Sequence, residues 1–399
     1  MKKVLLLGGS AQQIPAISSA RRLGYSTVLC DYLPDNPGQF HADRFYNIST
    51  TDQEAVLRVA KKEGVAGVIA YASDPAALTA AYVANEMGIP GNPYSAVEIL
   101  SNKEKYREFL VRNNFYGPRA KGYSRIEEAE QDIQRFRMPA VIKPVDSSGS
   151  KGVSILKGAE DLAQQAESAL SYSRGQRFII EEFVEPKGYQ IAGDGFVVDG
   201  QLVFRCFGND HFDLTNPNPL VPIAASFPYI GTKLLQNRIH KELQRLFTLL
   251  GIRMGAFNFD IRIDKDENIY LMEIGPRNGG NYIPQVINYA TGVDLVEYSV
   301  KAAVGKDCSQ INMAETDGFW SYYAIHSGKA GLLQQIDIDL VVRDNYIVES
   351  HLFYKPGDDI PSFTSSNQTL GILIMQFPSS EIMLDMMEDA QRWINIVVR

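Results

Sequence analysis

Cysteine is scarce in this chain. Cys30, Cys206 and Cys308 are odd in number and far apart, so neither a disulfide framework nor a Cys-x-x-Cys zinc site can be read, and a reducing compartment fits. Long apolar runs are missing too. Nothing approaches a transmembrane span, and the opening MKKVLLLGGS breaks at Gly8, too early for a signal-peptide core. The net charge of −8 is spread along the chain without a basic run or an acidic tail, which argues against nucleic acid or an anionic membrane as the main partner. The expectations that remain are a small-molecule partner and a cytoplasmic location, with a homodimer compatible. No internal repeat or low-complexity segment interrupts 399 residues of ordinary globular composition, 45% hydrophobic and 22% charged. That length suits two or three domains.

The first 95 residues alternate strand and helix. VLLLGG (4 to 9) reads as a buried parallel strand, IPAISSARRLG (14 to 24) as the following helix and STVLCDY (26 to 32) as the next strand. Asp52 caps a helix through Lys62, GVIAY (67 to 71) is a strand, and PAALTAAYVANEMG (75 to 88) is a helix ending at glycine. The pattern predicts an open, doubly wound α/β domain over residues 1–95. From 96 to 305 helices, short strands and hairpins follow. From 306 the strands FWSYYAI, YIVESHLFY and LGILIMQF precede a closing helix, EIMLDMMEDAQRWI.

A dinucleotide site is tested first, because Asp31 ends the second strand about twenty residues after Gly8-Gly9, where a ribose-binding acid would sit. The motif fails. SAQQIP after the glycines gives no G-x-G-x-x-G spacing, and GxxxxGK[ST] is absent. The glycines then serve a tight strand-to-helix turn, or their loop binds part of a substrate at the carboxyl ends of the strands.

The central region is richer. PAVIKPVDSSGSKGVSIL (139 to 156) is a buried strand bearing Lys143, then a loop with Ser147, Ser148, Gly149, Ser150, Lys151 and Gly152, then another strand. Such a loop leaves backbone N–H groups free to form a nest for phosphate oxygens, with Lys143 as a point charge beside it. Read alone it is equally a flexible hairpin. Lys103, near the start of a helix capped by Ser101 or Asn102, can reach the same phosphates or remain a solvated helix residue. RFIIEEFVEP (177 to 186) is a strand ending in acids, which read alone is an ordinary solvated strand end, though Glu181 with the main chain of Glu182 and Val184 could offer the donor and acceptor a purine needs.

Two lone acids complete the pattern, Asp260 in AFNFDIRI and Glu273 in LMEIGPRNGGN. IRIDKDENIYL reads as a hairpin. A four-residue loop closed by Asp264 and Ile269 places Asp260 directly opposite Glu273, on one face. Like charges so placed are destabilising unless a cation lies between them, which is the role magnesium plays with one or two carboxylates and nucleotide phosphates. A one-residue slip would instead put the acids on opposite faces.

Taken in order, Lys103, PAVIKP, the Gly/Ser loop, IIEEFV, FNFDIRI and LMEIGPRNGG resemble the ATP-grasp superfamily. The resemblance is closest to its carboxylate–amine ligase and biotin carboxylase-like branch, and spans nearly the whole chain. It implies a Rossmann-like domain (1–95), an ATP-grasp domain of two α+β subdomains (96–305, lid about 115–185) and a small C-terminal α+β domain (306–399). Also implied are ATP with magnesium or manganese, a carboxylate activated as acyl phosphate, and an amine acceptor. By position, Lys103, Lys143 and residues 147–152 would bind phosphates, and Glu181, Glu182, Phe183 and Val184 would hold adenine. Asp260 and Glu273 would bind metal, and Arg277, with Lys143, would act on the transferred group. Gln190 stands where the family often has a ribose-binding glutamate, and Gly275 replaces the asparagine of Glu-x-Asn-Pro-Arg. Asn258, opposite Gly275, or Asn278 is expected to supply the lost amide. His211 and Tyr282 are further candidates for substrate contact. An amino acid ligase fits the layout better than a carboxylase, since no Gln-Arg-Arg-type segment is seen. A purine-pathway ligase and a nucleotide-binding module without turnover are the alternatives.

Overall fold

Strands Lys3–Leu7, Ser26–Asp31, Arg44–Asn47 and Gly67–Ile69 form a parallel sheet in which Lys3–Leu7 lies between the second and fourth. Alternate residues of the first strand serve opposite faces. Val4 and Leu6 pack on Ala16, Ile17 and Ala20 of one helix and on Val296 and Val300. Leu5 and Leu7 pack on Val56, Val59 and Val83 of the two helices opposite. Both faces are therefore covered, which is why the strand reads as an unbroken apolar run. Asp52 caps helix Gln53–Glu63 as expected, accepting from the Ala55 N–H at 2.9 Å. Asp31 accepts from the Gly9 N–H at 2.6 Å and the Leu33 N–H at 2.8 Å, so the acid at the ribose position is used to hold its own loops.

The computed structural model describes residues 1–399, with twelve α-helices and four sheets. A second sheet is antiparallel, in the order Ala120–Tyr123, Phe178–Glu182, Ala140–Pro144, Ser154–Leu156. Ala140, Ile142, Phe178 and Ile180 face helices Ile126–Asp132 and Leu162–Ser171. By alternation Val141, Lys143, Ile179 and Glu181 face the other way.

The largest sheet has eight strands, running from Ile269–Gly275 through Gly255–Ile263, Ile191–Val198, Gln201–Phe212, Pro222–Phe227, Phe319–Ile325 and Gly371–Phe377 to Ile347–Leu352. Phe257, Phe259, Ile261 and Ile263 pack on Leu243, Leu246 and Phe247 of helix Lys233–Leu250. Asn258, Asp260 and Arg262 are thereby left on the opposite face. The sheet passes without a break across the expected boundary near 305, because Phe319–Ile325 pairs directly with Pro222–Phe227. The closing helix is shorter than expected. It spans Ser380–Glu388, and Ile394–Val398 is a strand paired with Gly331–Ile338. No helix is long and apolar enough to cross a membrane.

Candidate active site

The two acids meet. Asp260 pairs with Glu273 and Asn258 with Gly275, so both carboxylates leave the same face. The hairpin reaches that register by another route than expected. Asp264 and Asn268 close a three-residue turn, with Glu267 left-handed at φ 64, a common geometry for such loops. A bulge between Asp260 and Ile261 then leaves Met272 unpaired. Burial and the facing Glu273 push Asp260 up to about 7. Burial also opposes ionisation of Glu273, but Lys103, Lys143 and Arg277 outweigh it and hold this acid below its ordinary value. One acid that ionises readily and one that resists it thus stand side by side, two oxygen donors of the type a divalent cation can use.

Cations surround the pair. Asn102 caps helix Lys103–Arg112, accepting from the Lys105 N–H at 3.1 Å. The Lys103 ammonium lies 3.4 Å from Glu273 and donates to the Ser147 carbonyl at 2.7 Å, tying the small-residue loop to the acids. Lys143 contacts Glu181. Arg277 donates to Asp74 through Nε at 2.8 Å and again through Nη2, and its Nη1 reaches the Asn258 amide oxygen and the Asn278 carbonyl, each at 3.0 Å. Burial disfavours the charged guanidinium, but Asp74 restores it. Asp74 belongs to the N-terminal parallel unit. A polar cleft lined by Asp74, Glu98, Lys103, Lys105, Asp146, Ser147, Arg174 and Glu273 opens between that unit and the loop.

Several of the expected site residues already have partners within the protein. The Glu181 carboxylate accepts from Arg107 at 2.8 Å and pairs with Lys143. The Glu182 N–H donates to the Arg119 carbonyl, the Phe183 N–H to the Pro139 carbonyl, and the Val184 carbonyl accepts from Arg262 at 2.9 Å. Gln190 links Asp210, at 2.9 Å, to Arg262, at 2.7 Å, rather than standing free for a ribose. Asn258 turns its oxygen to Arg277 and its nitrogen to Asp194 and the Gly193 carbonyl. The Asn278 oxygen accepts from Ser299 at 2.7 Å. Each amide oxygen already accepts a hydrogen bond within the protein, and no cluster of three or more His, Cys, Asp or Glu side chains is gathered there. His211 is buried against the Ser226 hydroxyl, at 2.8 Å, with Tyr189 packed on its ring. By strand alternation it lies on the face opposite Asp210. Tyr282, left-handed at φ 60, stacks on His351 with 4.3 Å between ring centroids.

The sequence reading missed Asp194, Asp210, Arg262, Arg107 and Asp74. Asp194 is fully buried and accepts from the Gly279 N–H and from Asn258, so it positions the turn carrying Arg277. It sits alone in IAGDGFVV, the same signal that singled out Asp260. Arg262 is two residues beyond Asp260 and shares its face. Asp74 gives no local signal, since its partner lies 203 positions away.

Comparison with known proteins adds identity to this geometry. Residues 136–285 match the model of the ATP-grasp domain, and residues 324–399 that of the L-amino acid ligase C-terminal domain 2. Residues 136–285 therefore carry an ATP-grasp domain. It is similar to an uncharacterised protein of Sinorhizobium fredii, 25% identical over 83% of this chain and 69% of that one. It is also similar to the carbamoyl phosphate synthase large chain of Vibrio cholerae, 23% identical over 77% of this chain. It spans only 29% of that large chain. The fold resembles the crystal structure of L-amino acid ligase from Bacillus licheniformis, with a TM-score of 0.79 and 19% identity over 100% of this chain and 99% of that one.

Proposed function

We propose that this ATP-grasp protein is an ATP- and magnesium-dependent ligase that activates a carboxylate as an acyl phosphate and joins it to an amine, acting as an amino acid ligase. The observation that carries the reading is the acid pair Asp260–Glu273 facing Lys103. The match of residues 324–399 to an L-amino acid ligase domain favours amino acids over an aminoribotide or bicarbonate. The division into units at residues 95 and 305 is part of the same proposal.

In this reading Lys103, Lys143 and residues 147–152 bind the phosphates of ATP, and Asp260 with Glu273 holds magnesium. When bound, the metal neutralises charge on the transferred phosphoryl group. A substrate carboxylate oxygen attacks the γ-phosphorus as the bond to ADP breaks. The amine nitrogen then attacks the acyl carbon, losing a proton as phosphate leaves. The protein supplies position and positive charge rather than a nucleophile, and Arg277 stands beside the acids for that purpose. Closure of the loop excludes water that would hydrolyse the acyl phosphate.

The test is incubation with ATP, magnesium and pools of amino acids, with ADP measured and acyl phosphate trapped by hydroxylamine. Hydroxamate formed from an amino acid is the expected result. ATP binding without ADP release for any carboxylate would favour the binding module.

A further inference from the structure

The loop 147–152 is fastened at its far side. The Ser366 N–H donates to the Gly149 carbonyl at 3.1 Å, and the Ser150 hydroxyl to the Leu220 carbonyl at 3.1 Å. Asn218 sits at the junction. Its Nδ2 reaches the carbonyls of Ser150 at 3.3 Å, Val153 at 3.3 Å and Thr364 at 2.9 Å, while its Oδ1 accepts from the Leu220 N–H at 3.1 Å. One carboxamide thus gathers three segments distant in sequence. They are the loop, the connection containing residues 218–220, and the C-terminal stretch 362–369.

The contact is close. Gly149, Ser150 and Gly152 are left-handed, at φ 65, 59 and 68, and a Cβ on Gly149 would come within 2.4 Å of the Ser366 hydroxyl. The C-terminal stretch is itself anchored, since the Phe363 N–H donates to the Ser327 carbonyl at 2.8 Å and Gln368 accepts from the Thr364 N–H at 2.8 Å. A loop held this way takes its resting place partly from Asn218 and Leu220 and partly from Thr364 and Ser366, outside the ATP-grasp domain.

We propose that Asn218 is a positioning residue that clamps the phosphate loop to the C-terminal region, so that enclosure of ATP depends on residues 362–369 as well as on the ATP-grasp domain. This rests on the reading of 147–152 as a phosphate loop. An amide is required at the junction because three carbonyls converge on one side chain that must donate. Aspartate has the same shape but no donor, and it would set a negative oxygen against those carbonyls.

Tryptic cleavage after Lys151, followed by mass spectrometry, reads loop release directly. Two variants cut the clamp from different sides. Asn218→Asp removes the donor. Ser366→Pro removes the N–H that Gly149 accepts, at the first position of the short turn Ser366–Gln368, after an extended Ser365, where proline is tolerated. Each is expected to speed cleavage about tenfold, the effect of losing a hydrogen bond of ordinary net strength. Each is also expected to raise the KM for ATP more than it lowers kcat, with more ADP released per hydroxamate formed. ATP should slow cleavage of the unaltered chain. Unchanged cleavage in both variants would overturn the clamp. Faster cleavage in the variants, without protection of the unaltered chain by ATP, would overturn the link to ATP and with it the phosphate-loop reading.

Discussion

Replacing Glu181 with glutamine separates two accounts of one residue, an adenine ligand or the counterion of two buried cations. The Glu181 side chain is 2% exposed, Arg107 is 5% and Lys143 is 12%. Arg107 donates to it through Nε at 2.8 Å, and its Nη1 has no partner. Glutamine keeps the shape but leaves two cations side by side in a poorly solvated space. Removing one member of a buried pair costs about 3–5 kcal/mol. Lys143 retains the attraction of Glu273 and burial already disfavours its charged form, so the lower end, about 3 kcal/mol, is expected. Glu182→Gln is the control. That side chain accepts from the Arg137 N–H at 3.1 Å and faces an exposed guanidinium at 3.7 Å, a surface pair contributing less than about 1 kcal/mol. Urea unfolding followed by circular dichroism measures both, and calorimetric titration with ATP measures affinity. If the two variants unfold within about 1 kcal/mol of each other and Glu181→Gln alone loses ATP affinity, the counterion account is wrong and the adenine role returns.

Three further outcomes follow from the same geometry. Glu273→Gln removes a charge from the acid pair and is expected to lower kcat by on the order of 10²–10³ with the far-ultraviolet spectrum retained; turnover at the unaltered rate refutes the metal assignment. Asp74→Asn loosens the fork on Arg277 and is expected to cost about 2 kcal/mol, the range for hydrogen bonds to charged groups, read in urea. Urea midpoints equal to those of the unaltered chain would show that Arg277 does not rely on Asp74. Burial pushes His211 down to about 4 from its ordinary 6.5, so between those values the unfolded chain takes up a proton that the folded protein refuses. Its contribution to stability is complete above pH 6.5 and is lost as pH falls toward 4. The stability difference between the unaltered chain and His211→Gln should therefore shrink by about 2 kcal/mol between about pH 7.5 and pH 5. A difference independent of pH would place the ring in water.

Local pattern carried the N-terminal unit well. Strands Lys3–Leu7, Ser26–Asp31 and Gly67–Ile69 are mostly buried and two of its helices end at Gly64 and Gly88, both left-handed, so period and punctuation agree there, whereas the exposed edge strand Arg44–Asn47 gave no such signal. The C-terminal helix was overextended for the converse reason. The helix stops at Glu388, where Asp389 leaves helical geometry at φ −134 and a separate short turn Ala390–Arg392 follows, before Ile394–Val398 pairs with Gly331–Ile338 far upstream; none of this leaves a trace in the amphipathic pattern of EIMLDMMEDAQRWI. Site roles divided the same way. Proximity of Asp260 and Glu273 was legible because alternation is local. The competing partners of Glu181 and Gln190 were not, because Arg107 and Arg262 reach them from 74 and 72 positions away.

The hairpin shows why a register argument can survive an error in its own premise. The turn is one residue shorter than expected, which alone would have moved Glu273 to the far face. The bulge at Met272 restores the alignment on the turn's far side. Both changes answer to the same constraint. Phe257, Phe259 and Ile261 must remain in the core with Leu271 and Ile274, and with those five residues buried the face left for Asp260 and Glu273 is already determined. The apolar residues flanking the acids therefore predict their pairing more reliably than the turn does. The same reasoning assigns Asn258 and Arg262 to the acids' face, and the partners both acquire there, Arg277 for one and Gln190 for the other, mark that face as one connected polar site.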